Sequence, residues 1–348
     1  MDDTQGQVIL SIILNKNKMV NIALIGYGYW GPNLARNIFE SKLTNLYSIC
    51  DNKPERLKLA KIKYLTQTSY NLDYKDVLNN SNIDAIAIAV ETTSHFKIAQ
   101  EAILAGKHIF LEKPMTSTSV EAEKLKDIAS QNNVKLHVDH IMLFHPAIKK
   151  TKKMIESGEI GELIYFDSSR LNLGKIKNDV SAMWDLAVHD LAIIDFLING
   201  LSPDQISVMG EKHWSKKESL TFLNLKYGRF IAHLKSSWIS PVKERRIIIA
   251  GTKKMIVFDD LHSPESMTIY DKGFDVDNKY ENIEYDDYAP KIREGSALIP
   301  HLPIEDSLKN SIEYFANLII NDNISYSGAE QAIRIIKILE QADILLKK

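Results

Sequence analysis

Two textures of apolar and polar positions follow one another along the chain. From Met19, short apolar runs take turns with longer stretches whose apolar residues recur every three or four positions. Strand–helix alternation with short connections predicts a doubly wound parallel sheet. Strands are expected at 20–25, 46–50, 83–90, 108–111 and 134–138, and helices from Gly31, over 54–65 and 94–105, and after Thr118. The run IDAIAIAV at 83–90 is apolar on both alternating faces, as a central parallel strand covered on both sides requires. Local signals agree. Pro32 suits a first helical turn, where its missing N–H costs nothing. Leu34 and Ile38 form an i, i+4 stripe, Gly106 closes a helix, and Thr118 with Glu121 makes a capping-box pair.

Beyond residue 140, strand-like segments succeed one another at 163–170, 206–210, 219–227, 230–238, 245–250 and 255–258. Gly228-Arg229 fits a two-residue hairpin turn between two of them. Helices are expected near 185–198, 304–321 and 327–346. The chain therefore reads as α/β, with a Rossmann domain at 19–140. An α+β domain at 141–348 carries an open, mostly antiparallel sheet and is expected to bind substrate. An incompletely covered sheet face in that domain predicts a homodimer or homotetramer. Residues 259–303 read only as loop. Residues 1–18 read as an extension, because the apolar run 8–14 follows Asp2 and Asp3 and is too short for a secretory or membrane segment.

Composition narrows the function. The 348 residues suffice for two domains, and 43 Lys+Arg against 45 Asp+Glu give a net charge of −2. No basic surplus points to nucleic acid or to a membrane surface. The single cysteine, Cys50, permits no internal disulfide and fits a reducing cytoplasm. A small-molecule enzyme is the expectation.

Gly26-Tyr27-Gly28-Tyr29-Trp30-Gly31 is a Gly-x-Gly-x-x-Gly run between a predicted strand and a predicted helix. In that setting the glycines allow a tight turn, approach of a pyrophosphate and close helix–strand packing, with phosphates at the helix N-terminus. Asp51 follows Gly31 by twenty residues, at the end of the second strand. There a carboxylate can bind the adenine ribose and repel a 2′-phosphate, favouring NAD over NADP; the alternative is that Asp51 only begins a turn. Tyr29 and Trp30 are candidate cofactor contacts or ordinary loop aromatics. Cys50 is expected to be a packed strand-end residue.

Glu112-Lys113-Pro114 follows the fifth strand, beyond whose carboxyl end ligands of such sheets bind. Further on, Asp185 and His189 stand at i and i+4, where a carboxylate can orient an imidazole for general acid–base work. The alternative makes Asp185 an N-cap and His189 a packing residue. His137, Asp139 and His140 are dense, but strand alternation separates His140 from the other two, so no metal site is expected. His140 is a candidate cleft residue.

These motifs, with Asp51 to Arg56 (Asp-x-x-Pro-Glu-Arg) and Ala105 to Pro114 (AGKHIFLEKP), resemble the glucose–fructose oxidoreductase/inositol dehydrogenase/MocA family. The resemblance implies a Rossmann NAD(P)-dependent oxidoreductase with Lys113, Asp185 and His189 around the reacting carbon. It adds Glu112, Lys113 and His95 to the cofactor contacts. One departure is that Val90-Glu91 stands where the family carries Thr-Pro, with His95 retained. The glycine loop through Asn37, the stretch Arg170 to Gly174, and Trp184 to Asp190 are similar to a branch that makes nucleotide sugars, that of the UDP-N-acetylglucosamine and UDP-N-acetylglucosaminuronate 3-dehydrogenases. Arg170, Asn172 and Asn178 are then candidate sugar or diphosphate contacts, or strand-end and loop polar residues. The implied reaction has His189 take a hydroxyl proton, Lys113 hold the oxygen and Asp185 orient His189. The alternatives are an NADPH-dependent ketosugar reductase and a non-catalytic dinucleotide sensor.

Overall fold

The computed structural model describes residues 19–64, 68–262, 265–275 and 291–347, so the extension 1–18 lies outside the described residues. The chain divides into two compact units, Met1–Phe144 with Glu305–Lys337, and His145–Ile304 with Ile338–Lys348.

The first unit is built on six strands: β1 (Val20–Ile25), β2 (Thr44–Cys50), β3 (Ser69–Asn71), β4 (Ala85–Ile88), β5 (His108–Glu112) and β6 (Leu136–Asp139). All pairs are parallel, in the order β3-β2-β1-β4-β5-β6. The order reverses between β1 and β4, the switch point beyond which open α/β sheets bind ligands. Helices α1 (Gly31–Glu40), α2 (Pro54–Lys63), α3 (Tyr74–Leu78), α4 (Thr92–Leu104) and α5 (Ser119–Gln131) make the connections. Every residue of β4 is buried, as its unbroken apolar run requires. Thr118 Oγ1 accepts from the Glu121 amide at 3.2 Å, the capping contact read from the sequence. β3 and α3 have no visible signature in the sequence, being too short to show a period.

The helix Ser307–Ile320, expected within the second domain, packs in the core of this first unit. Its Leu308, Ile312, Phe315 and Ala316 join Leu24, Leu34, Ile38 and Phe110, and Phe315 meets the Phe110 ring edge-on at 5.6 Å. Amphipathic spacing shows that a helix must bury one face; it does not show against which sheet.

The second unit holds an eight-stranded sheet ordered β14-β13-β12-β11-β7-β10-β9-β8. Its strands are β7 (Leu163–Leu173), β8 (Gln205–Lys212), β9 (Glu218–Tyr227), β10 (Phe230–Ser237), β11 (Ile239–Gly251), β12 (Met255–Asp259), β13 (Met267–Asp275) and β14 (Lys291–Leu298). Only β7 and β10 run parallel; the other neighbours are antiparallel. Tyr227 pairs with Phe230, which leaves Gly228-Arg229 as the two-residue turn. β13 and β14 correct the reading of 259–303 as loop. β14 (KIREGSAL) is exposed along almost its whole length, so it lacks the alternation that betrays a half-buried strand. The helix Pro146–Glu156 is a further element that the sequence pattern did not predict. Among the described residues no helix is long and apolar enough to cross a membrane.

Candidate active site

The glycine loop joins β1 to α1. Gly26 has φ +97°, a left-handed conformation that side chains resist, and a Cβ there would strike the Ala89 carbonyl oxygen and come within 2.9 Å of Val90 Cγ1. At Gly31 a Cβ would collide with the Gly26 carbonyl oxygen. Both glycines are thus required by the protein's own packing. Gly28 differs, because a Cβ there would meet only the Arg56 guanidinium, at an ordinary 3.5 Å. The space above Gly28 is a cradle that the protein leaves open, as approach of a pyrophosphate demands. Helix α1 begins without a side-chain cap and with no acidic residue in its first turn, so its N-terminal dipole is available to an anion. These features fit a dinucleotide. Tyr29 is 97% exposed, whereas the Trp30 indole is half-buried.

Asp51 follows β2 and is 5% exposed. Its Oδ2 accepts from the Tyr27 amide at 2.7 Å and its Oδ1 from the Lys53 amide at 2.9 Å. Arg56 Nη1 adds contacts at 3.1 and 3.4 Å. The bond to Lys53 is the turn-forming role, and the bond to Tyr27 ties the carboxylate to the glycine loop. Arg56, which sequence spacing did not single out as a site residue, brings a cation to this carboxylate. Neighbouring Cys50 is buried, and its thiol is pushed up to about 12 by burial and by the Asp51 charge, which leaves it inert.

Glu112, Lys113 and Pro114 leave β5 through a cis Lys113–Pro114 peptide. His95 turns into the protein. It is 1% exposed, with Nδ1 2.9 Å from the Pro114 carbonyl oxygen and Nε2 3.1 Å from that of Val90. Burial lowers its proton affinity. The ring lies between the Pro114 turn and the segment after β4, and as a neutral imidazole it donates to one of the two carbonyls. His140 is 2% exposed, and neither ring nitrogen has a hydrogen-bond partner. Burial and the Lys113 charge press its pKa down to about 3, so it stays a neutral imidazole. Two unpaired buried nitrogens are costly unless a ligand satisfies them. Trp30 Nε1 and Glu112 Oε1 also lie buried without a well-formed hydrogen bond. Burial and the Asp139 carboxylate raise Glu112 well above the usual carboxyl range, against the lowering influences of Lys113 and the Trp30 indole.

In the second unit the other motif lies on an irregular turn. Met183–Ala187 forms a single π-helical turn leading into the helix Val188–Leu197. Such turns concentrate at functional sites because the extra residue re-aims side chains. Asp185 is not an N-cap: its Oδ1 accepts from Lys177 Nζ at 2.8 Å and its Oδ2 from the Trp238 indole at 3.3 Å. His189 follows one turn later and is half-buried. Lys177 and Trp238, outside the motif in sequence, carry no local signal that would have revealed them. Arg170 is 7% exposed and donates from Nε to Asp190 Oδ1 at 2.8 Å. It is an internal clamp between β7 and the helix, which favours the strand-polar alternative. Asn172 is half-buried and Asn178 exposed. Among the described residues no group of three or more His, Cys, Asp or Glu is placed to hold a metal ion.

Two family models match the chain. The GFO/IDH/MocA oxidoreductase family, NAD-binding Rossmann fold, matches residues 20–140, and the GFO/IDH/MocA C-terminal domain matches 148–257. The chain is 28% identical to the UDP-N-acetylglucosamine 3-dehydrogenase of Acidithiobacillus ferrooxidans, over 56% of its own length and 60% of that enzyme's. It is 25% identical to the scyllo-inositol 2-dehydrogenase (NAD(+)) of Bacillus subtilis, over 79% and 84%. A solved structure of the Acidithiobacillus enzyme matches with a TM-score of 0.79, covering 95% of this chain and 98% of that one at 22% identity. At that identity the likeness concerns the fold.

Proposed function

Because the chain belongs to the GFO/IDH/MocA family of NAD-binding oxidoreductases, we propose that it oxidises a ring hydroxyl, at the third carbon, of a nucleotide-linked sugar such as UDP-N-acetylglucosamine or its uronate. The observation that carries this reading is the polar group at the ends of β5 and β6. Lys113 lies there with His140, a buried neutral imidazole whose two nitrogens await hydrogen bonds. Such a setting suits a ligand dense in hydroxyls rather than an apolar one. Similarity to the Acidithiobacillus enzyme supports the nucleotide sugar, and similarity to the inositol dehydrogenase supports a cyclic polyol more broadly.

In this reading Gly26, Gly28, Gly31, the N-terminus of α1, Asp51, Trp30 and Glu112 hold the dinucleotide, which supplies a hydride acceptor when bound. His189 takes the hydroxyl proton as general base. Lys113 donates to the same oxygen and stabilises negative charge as it develops. Asp185, fixed by Lys177 and Trp238, positions the His189 segment. His140 binds a neighbouring hydroxyl. The enzyme acts in the cytoplasm as a homodimer or homotetramer. Arg56 gives one foothold to the alternative, an NADPH-linked ketosugar reductase, since a guanidinium beside the ribose site can take a 2′-phosphate.

The test is a panel of UDP- and dTDP-sugars and free inositols mixed with NAD, followed by absorbance of the reduced nicotinamide. The reading expects a UDP-N-acetylhexosamine or its uronate to give the highest kcat/KM. Turnover of inositols alone would replace it with a polyol dehydrogenase.

A further inference from the structure

Asp139 has no place in the reaction as drawn, yet it is 2% exposed and ends β6 directly beside the end of β5. The strand register pairs it with Glu112, the residue preceding Lys113. In parallel register, and with Asp139 and Glu112 Oε1 both buried, the two carboxyls stand side by side on one face of the sheet. A bond between two carboxyls requires a proton on one of them. On its other side Asp139 Oδ1 accepts from the Ser311 hydroxyl at 2.7 Å. Ser311 is fully buried on the helix Ser307–Ile320. With its proton given to Asp139, Ser311 Oγ must accept from His137 Nε2, 3.1 Å away. That fixes the tautomer of His137, whose Nδ1 then accepts from the Ser325 hydroxyl at 3.1 Å.

Ser325 is half-buried and follows Ile324, which is 92% exposed. Its segment is pinned along β6, where the Val138 amide donates to the Ser327 carbonyl at 2.8 Å and the Ser327 hydroxyl to the Val138 carbonyl at 2.6 Å. His137 is sealed among Phe110, Phe144, Tyr314 and Phe315, so water has little other access to this line. From Asp139 outward each link is a hydrogen bond, and the line runs from the strand end beside Lys113 to the half-buried Ser325.

We infer that Glu112 and Asp139 share one proton beside Lys113 and exchange it with solvent through Ser311, His137 and Ser325, a relay serving the reaction site. The groups facing the pair are Lys113, Trp30, Ser311 and Asp306. Burial raises both carboxyls, Asp139 to about 7, and presses His137 down to about 3, so the imidazole passes a proton along without holding it. The line works in either direction when each hydrogen bond reverses. Oxidation of an alcohol to a ketone gives a hydride to the nicotinamide and one proton, taken first by His189, and the relay is the route to solvent once that proton is handed on to Lys113 and the pair. Only this last consequence rests on the dehydrogenase reading.

The shared proton is tested without substrate, by infrared spectroscopy of the full chain. The wild type should show a protonated-carboxyl band near neutral pH. Asp139→Asn and Glu112→Gln should each move it, because the carboxyl that remains is still held neutral by burial but has lost its acid partner. A band left at the wild-type position in either variant would mean a lone buried acid and overturn the sharing. After rapid mixing into heavy water, the band's shift reports exchange. Ser311→Ala and His137→Phe should slow it by an order of magnitude or more, since exchange must then wait on local opening. Unchanged exchange in a folded variant of either residue would overturn the relay. In turnover, Asp139→Asn should lower kcat with KM held and alter the pH profile. If no sugar is oxidised while the infrared predictions hold, the dehydrogenase reading fails and the shared proton stands.

Discussion

Replacing Lys113 with methionine keeps the length and apolar stem of the side chain but removes the ammonium, and His189→Asn removes the base while keeping a polar group. Each should lower hydride transfer on the order of 10²–10⁴-fold. Combined, they should cost little more than the worse of the two, because groups that act as one unit are not additive. Dinucleotide titration of both variants should stay near wild type if the glycine loop, α1 and Asp51 hold most of the cofactor. Asp51 supports a second expectation. NAD(H) should bind more tightly than NADP(H), and Asp51→Ser should narrow or invert that preference by releasing Arg56; calorimetry with both cofactors measures it. Spacing in the sequence located Asp51, but it could not reveal Arg56 on the same carboxylate. Residue type says least at His95 and Arg170, whose polar side chains turn inward to main-chain carbonyls and to Asp190. Residue type alone does not tell a buried clamp from a ligand contact.

The three loop glycines differ in what a side chain at each would meet. Gly26→Ala should destabilise the first unit by about 1–3 kcal/mol, the cost of holding a side chain in a strained backbone region, and chemical denaturation reads this directly. Gly28→Ala should leave stability nearly unchanged and weaken dinucleotide binding, because its Cβ would occupy the open cradle and touch only Arg56. Equal effects of the two substitutions on stability would remove the cradle argument. β4, through its unbroken apolar run, and elements with full periods such as β9, β10 and α5 are legible in the amino-acid sequence. β3, α3 and β14 are not, since the first two are too short for a period and the third is exposed on both faces. The π turn at Met183–Ala187 is also hidden, as its residues carry ordinary helical spacing.

Across the whole molecule, the return of 305–337 to the first unit is the feature that local pattern could not supply, and it delivers Ser311 and Ser325 to β6. It also sets a pH dependence. Asp139 is raised from 3.8 to about 7, so its contribution to stability is complete below about 4 and lost as pH rises to about 7. His137 and His140 are lowered from 6.5 to about 3, so theirs is complete above 6.5 and lost as pH falls to about 3. Asp139→Asn should therefore gain in Tm relative to wild type as pH climbs from about 4 to 7, by about 2–4 °C for each kcal/mol involved in a unit of this size. A constant Tm difference across that range would show that Asp139 titrates as it does in the unfolded chain. The central claim, hydride removal from the third carbon of a nucleotide sugar, is tested most directly with UDP-N-acetylglucosamine and its uronate deuterated at that carbon. The account predicts that one of them reduces NAD with transfer of the deuterium to the nicotinamide, seen by mass spectrometry, and with a slowed single turnover. Reduced cofactor without deuterium, or no reduction with either sugar, would contradict it.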